Sequence, residues 1–143
     1  MSFARKRLVF DTSVLVSAAI KPSSMPHKAL EKAFSSYTLV ASQDTLQELV
    51  QVLARDYLDK YMPKALRQEF VHGYQAMVQM TQVTPHPTPC RDPKDEKFLW
   101  LATSAKASFI VSSDDDLLSL HPYQGIDIIK AADFLLRPSQ LSQ

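Results

Sequence analysis

The sequence predicts an α/β fold, a three-layer α/β/α sandwich around a mainly parallel central sheet, and three observations carry that prediction. Short apolar, strand-like runs alternate along the chain with stretches whose apolar residues recur every three or four positions. Parallel neighbours in a sheet need long crossover connections, and these helical stretches supply them. The strand-like runs also end in carboxylates or polar residues. Asp11 follows "RLVF" and "SSDDD" follows "SFIV", the pattern of a chain leaving the ligand-binding edge of such a sheet.

Arg7–Phe10 reads as a buried strand, and a short helix follows within Thr12–Ile20 before the loop "KPSS". In "SMPHKALEKAF", Ser24 or Met25 precedes Pro26, a favoured first helical residue, and Ala29, Leu30, Ala33 and Phe34 form one stripe. A second strand spans 37–41. The next helix carries Leu46, Leu49, Val50 and Leu53 on one face, with Ser42 or Asp44 as its N-cap. Residues 55–84 keep a helical period, with Leu66, Phe70, Tyr74 and Met77 aligned, Pro63 near a helix start and Gly73 as a weak point. A helical hairpin is expected there. "PHPTP" is too rich in proline for regular structure. Beyond it come a helix over 95–106, a strand over 108–111, a short helix over 117–120, a strand over 126–129 and a last helix over 131–136. One domain over 1–143 is expected, with its core over 7–136 and a frayed tail over 137–143.

Composition narrows the chemistry by exclusion. With 45% hydrophobic and 22% charged residues in 143, the chain is an ordinary globular one. No apolar run approaches the roughly 20 residues of a membrane span, and the amino terminus lacks the layout of a secretory signal, so a cytoplasmic location is expected. Cys90 is the single cysteine and cannot form an internal disulfide. His27, His72, His86 and His121 are scattered, so any metal would be held by oxygen. Nine prolines stand against two glycines, and neither a Walker loop nor a dinucleotide fingerprint occurs. The net charge of +1 names no ligand, because a basic patch can sit within a neutral total.

The carboxylates are the informative residues. Asp11, between strand and helix, suits either a helix cap or a ligand. In "DPKD", Asp92, Pro93 and Asp95 make a good helix start, yet Asp95 also heads the stripe of Phe98, Leu99 and Ala102 and so points toward the sheet. Asp114, Asp115 and Asp116 read as a solvated loop with one cap, or as part of a site. Glu48 lies nearly opposite its helix's apolar stripe, where a solvent-facing Glu is the default. The topology nonetheless brings Asp11, Asp95 and Asp114 to one sheet edge, where mutual repulsion is expected to raise the pKa of Asp11. Acids so placed make physical sense around a cation, and an all-oxygen set suits Mg²⁺ or Mn²⁺. Arg91, Lys94 and Lys97 could hold phosphates or could be solvated charges; Phe98 and Trp100 read as core.

Four stretches, "FDTSVLVSA", "LQELVQVL", "DPKDEKFLWLA" and "IVSSDDDLLSL", together resemble the PIN domain, in particular the single-domain toxin group of bacterial toxin–antitoxin systems. The resemblance runs from Arg7 to about Leu136. It implies a flap-nuclease-like fold and an Mg²⁺- or Mn²⁺-dependent ribonuclease that hydrolyses RNA to leave a 5′-phosphate and a 3′-hydroxyl. Its acidic set falls on Asp11, Glu48, Asp95 and Asp114, with Asp116 a further acid at the metal. Glu48 enters only through this likeness, as a ligand or a group that orients water. Ser13 stands where many members have Asn and matches a small polar residue near the metal. An antitoxin partner and a homodimer are further implications. A dehalogenase-like phosphatase would need a second acid at position 13 and is set aside; a non-catalytic RNA- or partner-binding module is the alternative.

Overall fold

The computed structural model describes residues 5–138. Within them β1 (Arg7–Phe10), β2 (Thr38–Ala41), β3 (Gln79–Met80), β4 (Phe109–Val111) and β5 (Asp127–Ile129) form a five-stranded sheet in the order β3-β2-β1-β4-β5, with every pair parallel. Leu8 sits opposite Leu39 and Phe109, and Ile110 sits between Val9 and Ile128. The two-residue period of a strand sends Leu8, Phe10, Leu39, Phe109 and Val111 to one face and Val9, Val40, Ile110 and Ile128 to the other. Both faces are covered, which is why these strands read as unbroken apolar runs.

On the first face lie α1 (Thr12–Ile20), α2 (Met25–Ser36), α3 (Gln43–Leu53), α4 (Lys64–Met77) and α7 (Ala131–Leu136). The second face takes α5 (Glu96–Ala105), through Phe98, Leu99, Leu101 and Ala102, and Leu117 of α6 (Asp115–Leu118). The expected three layers are therefore present. Local chemistry sets the helix starts: Ser24 accepts from the His27 N–H at 3.2 Å with Pro26 in the first turn, and Ser42 and Thr45 close a reciprocal capping box. Phe134 plugs the first face, edge-on to Phe10 at 6.2 Å between ring centroids.

The hairpin expected over 55–84 is corrected. A 3-10 turn, Asp56–Lys60, precedes α4, and β3 then adds a fifth strand at the sheet edge. The buried face of α4 is Arg67 and Tyr74, while Leu66 and Met77 are exposed. Val50 of α3 is also exposed, its helix burying Thr45, Leu49 and Leu53 instead. The expected helix over 95–106 begins as a 3-10 turn, Pro93–Asp95, and α6 starts two residues earlier than expected because Asp114 caps it. Of the expected tail, Arg137 is tied to Asp127 by an ion pair at 3.2 Å, and the Pro138 carbonyl accepts from the Tyr37 hydroxyl. The remainder, 139–143, lies outside the described residues.

This topology contains a switch point. From β1 the chain crosses to β2 on one side, and the later strands β4 and β5 lie on the other. A crevice therefore opens beyond the carboxyl ends of β1 and β4.

Candidate active site

Asp11 lines that crevice and is itself buried. Its N–H donates to the Val111 carbonyl at 3.0 Å, which extends the β1–β4 ladder by one bond, and its carboxylate caps α1 by accepting from the Val14 N–H at 2.9 Å. Ser13 donates to the same carboxylate at 3.1 Å, and Ser112 donates to its other oxygen. The Ser112 hydroxyl, wholly buried, also accepts from the Asp114 N–H at 3.0 Å. One hydroxyl thus links the carboxylate after β1 to the backbone after β4.

Across the crevice, Asp95, Asp114 and Asp116 each present a carboxylate oxygen, and these oxygens lie within 4.8 Å of one another. Asp95 is delivered by the 3-10 turn that opens α5, and Asp114 by the cap of α6. Asp11 is not one of that trio, but it lines the same cleft as Asp95 and Asp114. The cleft is an open one of about 600 Å³ that also includes Ser13, Glu48, Asp92 and Lys94. Glu48 does not face open solvent. Thr12 donates to one of its oxygens and Lys97 to the other at 2.9 Å, while Lys97 also reaches the Lys94 carbonyl at 2.7 Å, so α1, α3 and α5 meet through this carboxylate.

Asp11 and Asp95 are both electrostatically strained, for different reasons. Burial pushes the Asp11 pKa up and its hydrogen bonds pull against that rise. Asp95 takes the repulsion. Its pKa is pushed up to about 7, first by burial, then by a hydrogen bond with Asp114 and by the charges of Asp114, Asp92 and Asp116. The expected crowding of Asp11 by its neighbours is corrected accordingly: the Asp11 carboxylate is raised by burial and held by hydrogen bonds from Ser112 and Ser13, while the repulsion between acids falls on Asp95, from Asp114, Asp92 and Asp116.

A divalent cation fits this donor set. Every candidate ligand is a carboxylate oxygen, and a positive charge among them would offset the repulsion that lifts Asp95. Phosphate is a poor fit without one, because acids outnumber the cations Lys94 and Lys97 around the cleft. Of the basic residues singled out in the sequence, Lys94 is on the cleft wall, Lys97 is committed to Glu48, and Arg91 is exposed and outside the wall. Phe98 is buried, as expected of core, and Trp100 is half-buried with its Nε1–H donating to the His86 carbonyl at 2.7 Å. Sequence reasoning missed Thr12, Ser112, Tyr57 and the place of Asp92 in the cleft. Adjacency to the acids was the available signal for Thr12 and Ser112; Tyr57 had none.

The raised Asp95 pKa makes a prediction. A carboxyl whose folded pKa lies above its unfolded value of 3.8 adds stability that is fully present below 3.8 and is lost as pH rises through about 7. Chelator-treated wild type should therefore lose stability between those values, and Asp95→Asn should lose less. Asparagine costs no cap, since the Asp95 side chain makes no capping bond to α5. Melting temperatures of both proteins from pH 4 to pH 8, without divalent metal, check this; parallel curves would contradict it.

Comparison with known proteins agrees with the architecture. The sequence profile of the PIN domain matches residues 7–116. A protein of Methanocaldococcus jannaschii, itself uncharacterised, is 29% identical over 116 residues, covering 80% of this chain and 74% of its own. A chain in the crystal structure of VapBC2 from Rickettsia felis, bound to a DNA fragment from their promoter, superimposes with a TM-score of 0.60 at 13% identity, over 85% of this chain and 96% of that one. The profile match takes in β1, β4 and all five of the acids placed at the crevice, Asp11, Glu48, Asp95, Asp114 and Asp116, and on that ground the chain belongs to the PIN domain family, whose members are generally nucleases.

Proposed function

We propose that the protein is a divalent-cation-dependent endoribonuclease serving as the toxin of a type II toxin–antitoxin pair. The observation that carries this reading is the meeting of Asp95, Asp114 and Asp116 at the switch point, with Asp11 and Glu48 lining the same cleft. Asp11, Asp95, Asp114 and Asp116 are the residues that would hold Mg²⁺ or Mn²⁺. Such a cation, when bound, makes water a better nucleophile and stabilises charge on the leaving oxygen. Glu48, fixed by Thr12 and Lys97, is placed to orient a water through whichever oxygen lone pairs those bonds leave free. Ser13 sits beside Asp11 where a phosphate oxygen could approach. Lys94 at the wall and Arg91 beyond it are suited to flanking phosphates, as backbone contacts that position without reading sequence.

Incubating the protein with single-stranded RNA and Mn²⁺ or Mg²⁺ tests this. Internal cuts bearing 5′-phosphates are expected, and chelator should stop them. An intact substrate in both metals would overturn the nuclease reading and leave a binding module in its place.

The fold shared with a chain of the VapBC2 complex supports a protein partner for this chain. Among the described residues no helix is long and apolar enough to cross a membrane, and a cytoplasmic location is part of the same proposal. A homodimer belongs to that proposal too, and light scattering at tens of micromolar showing only monomer would contradict it.

A further inference from the structure

We infer that Tyr57 is a base-stacking platform on the wall of the acidic cleft, holding one nucleotide of the substrate beside the scissile phosphate. The inference rests on the nuclease reading for its substrate and on separate observations for its site. Tyr57 lines the same cleft as the acids, yet it is 56% exposed, and among the described residues no hydrogen bond or ring contact engages it. A half-exposed aromatic ring on a cleft wall has surface left to offer a flat ligand.

The α3 side of the cleft changes character along the helix. Glu48 is followed one turn later by Val52, about 6 Å along the axis, and Tyr57 comes four residues after the helix ends, while α1 adds both Val16 and Ser17. On the α3 side a carboxylate thus gives way to an apolar wall that suits the flat face of a base. Stacking on an aromatic side chain is how unpaired nucleotides are commonly held, and a paired base has no free face to give.

The platform is also built in place. Tyr57 lies in the 3-10 turn Asp56–Lys60, whose neighbour Leu58 is buried in the core. Arg67, only 1% exposed, clamps both ends of the segment. Its Nε–H donates to the Leu53 carbonyl at 2.7 Å, and the rest of its guanidinium reaches the Met62 and Arg55 carbonyls and the Asp59 carboxylate. A pinned turn loses little entropy when it receives a base, which favours a standing recognition element over a loop that must order on binding.

The test uses a short single-stranded oligoribonucleotide, intact or carrying one abasic residue moved along its length. Cleavage is followed in Mn²⁺ with the wild-type active site, and equilibrium binding with Asp114→Asn. Tyr57→Leu should raise KM and weaken binding about tenfold to a hundredfold, with the loss in KM rather than kcat, and Tyr57→Phe should restore most of it. One abasic position should weaken the wild-type cleft similarly while adding nothing to Tyr57→Leu. The inference is overturned if Tyr57→Leu leaves KM and binding unchanged, as a contact for a protein partner would, or if the abasic losses are equal in both proteins. Failure of the nuclease reading looks different: wild type would cleave nothing, while the binding arm would still report on Tyr57.

Discussion

Asp114→Asn is expected to reduce divalent-cation-dependent RNA cleavage about a thousandfold, beyond the roughly 10- to 100-fold typical of residues that only support a metal ligand. Asp114 faces Asp95 and Asp116 within ligand distance of a single ion, and it lies on the switch-point edge with Asp11. Its structural duty is light. The side chain caps the four-residue α6 by accepting from the Asp116 N–H at 3.3 Å, and asparagine caps nearly as well as aspartate. The variant should therefore melt within a few degrees of wild type in chelator while losing most of the stabilisation that Mn²⁺ gives the wild type. Cleavage rates and melting curves taken together check both halves. Retained cleavage with a retained metal response would mean that the trio is a solvated acidic turn.

Arg67→Met should cost about 2–6 kcal/mol of folding stability, the loss expected for two carbonyls left without their donor, since its ion-pair partner Asp59 is exposed and adds little. The long apolar side chain replaces the volume of the arginine but none of its donors. Leu53 is the last residue of α3, so its carbonyl belongs to the helix's unpaired end, and Arg67 both satisfies it and places positive charge at the negative pole of the dipole. Without the guanidinium the Leu53 and Met62 carbonyls lose their charged donor, and each buried polar group left unpaired costs about 1–3 kcal/mol. Urea unfolding measures the loss; a change under about 1 kcal/mol would show that water replaces the side chain without penalty. Arg67→Lys keeps the charge but not the fork, and an intermediate loss is expected.

These two residues mark what could and could not be read from the sequence. Asp114 was legible because a strand buried on both faces announces itself as an apolar run, and the first acid beyond such a run must emerge at the sheet edge. The same reasoning placed Asp11, and the stripe from Phe98 to Ala102 placed Asp95 at the head of a helix facing the sheet. Arg67 was illegible because helical faces are read from apolar residues, and here a buried cation occupies the inward position. That shifted the inferred face of α4 onto Leu66 and Met77, which are exposed. The edge strand β3 has two exposed residues and so carries no alternation to detect. Glu48 looked solvent-facing on its own helix because its partners, Thr12 and Lys97, come from α1 and α5. Contacts between distant segments leave no trace in local periodicity, and Tyr57 shares that difficulty, since only the assembled cleft gives it a role.

The most direct test is to locate a cation. Anomalous diffraction from crystals grown with Mn²⁺ near pH 8, where Asp95 is ionised even without metal, should show a peak bounded by the carboxylates of Asp95, Asp114 and Asp116 on the side facing Asp11. A peak elsewhere, or none at that position with Mn²⁺ in millimolar excess, would contradict a metal-dependent active site at this switch point.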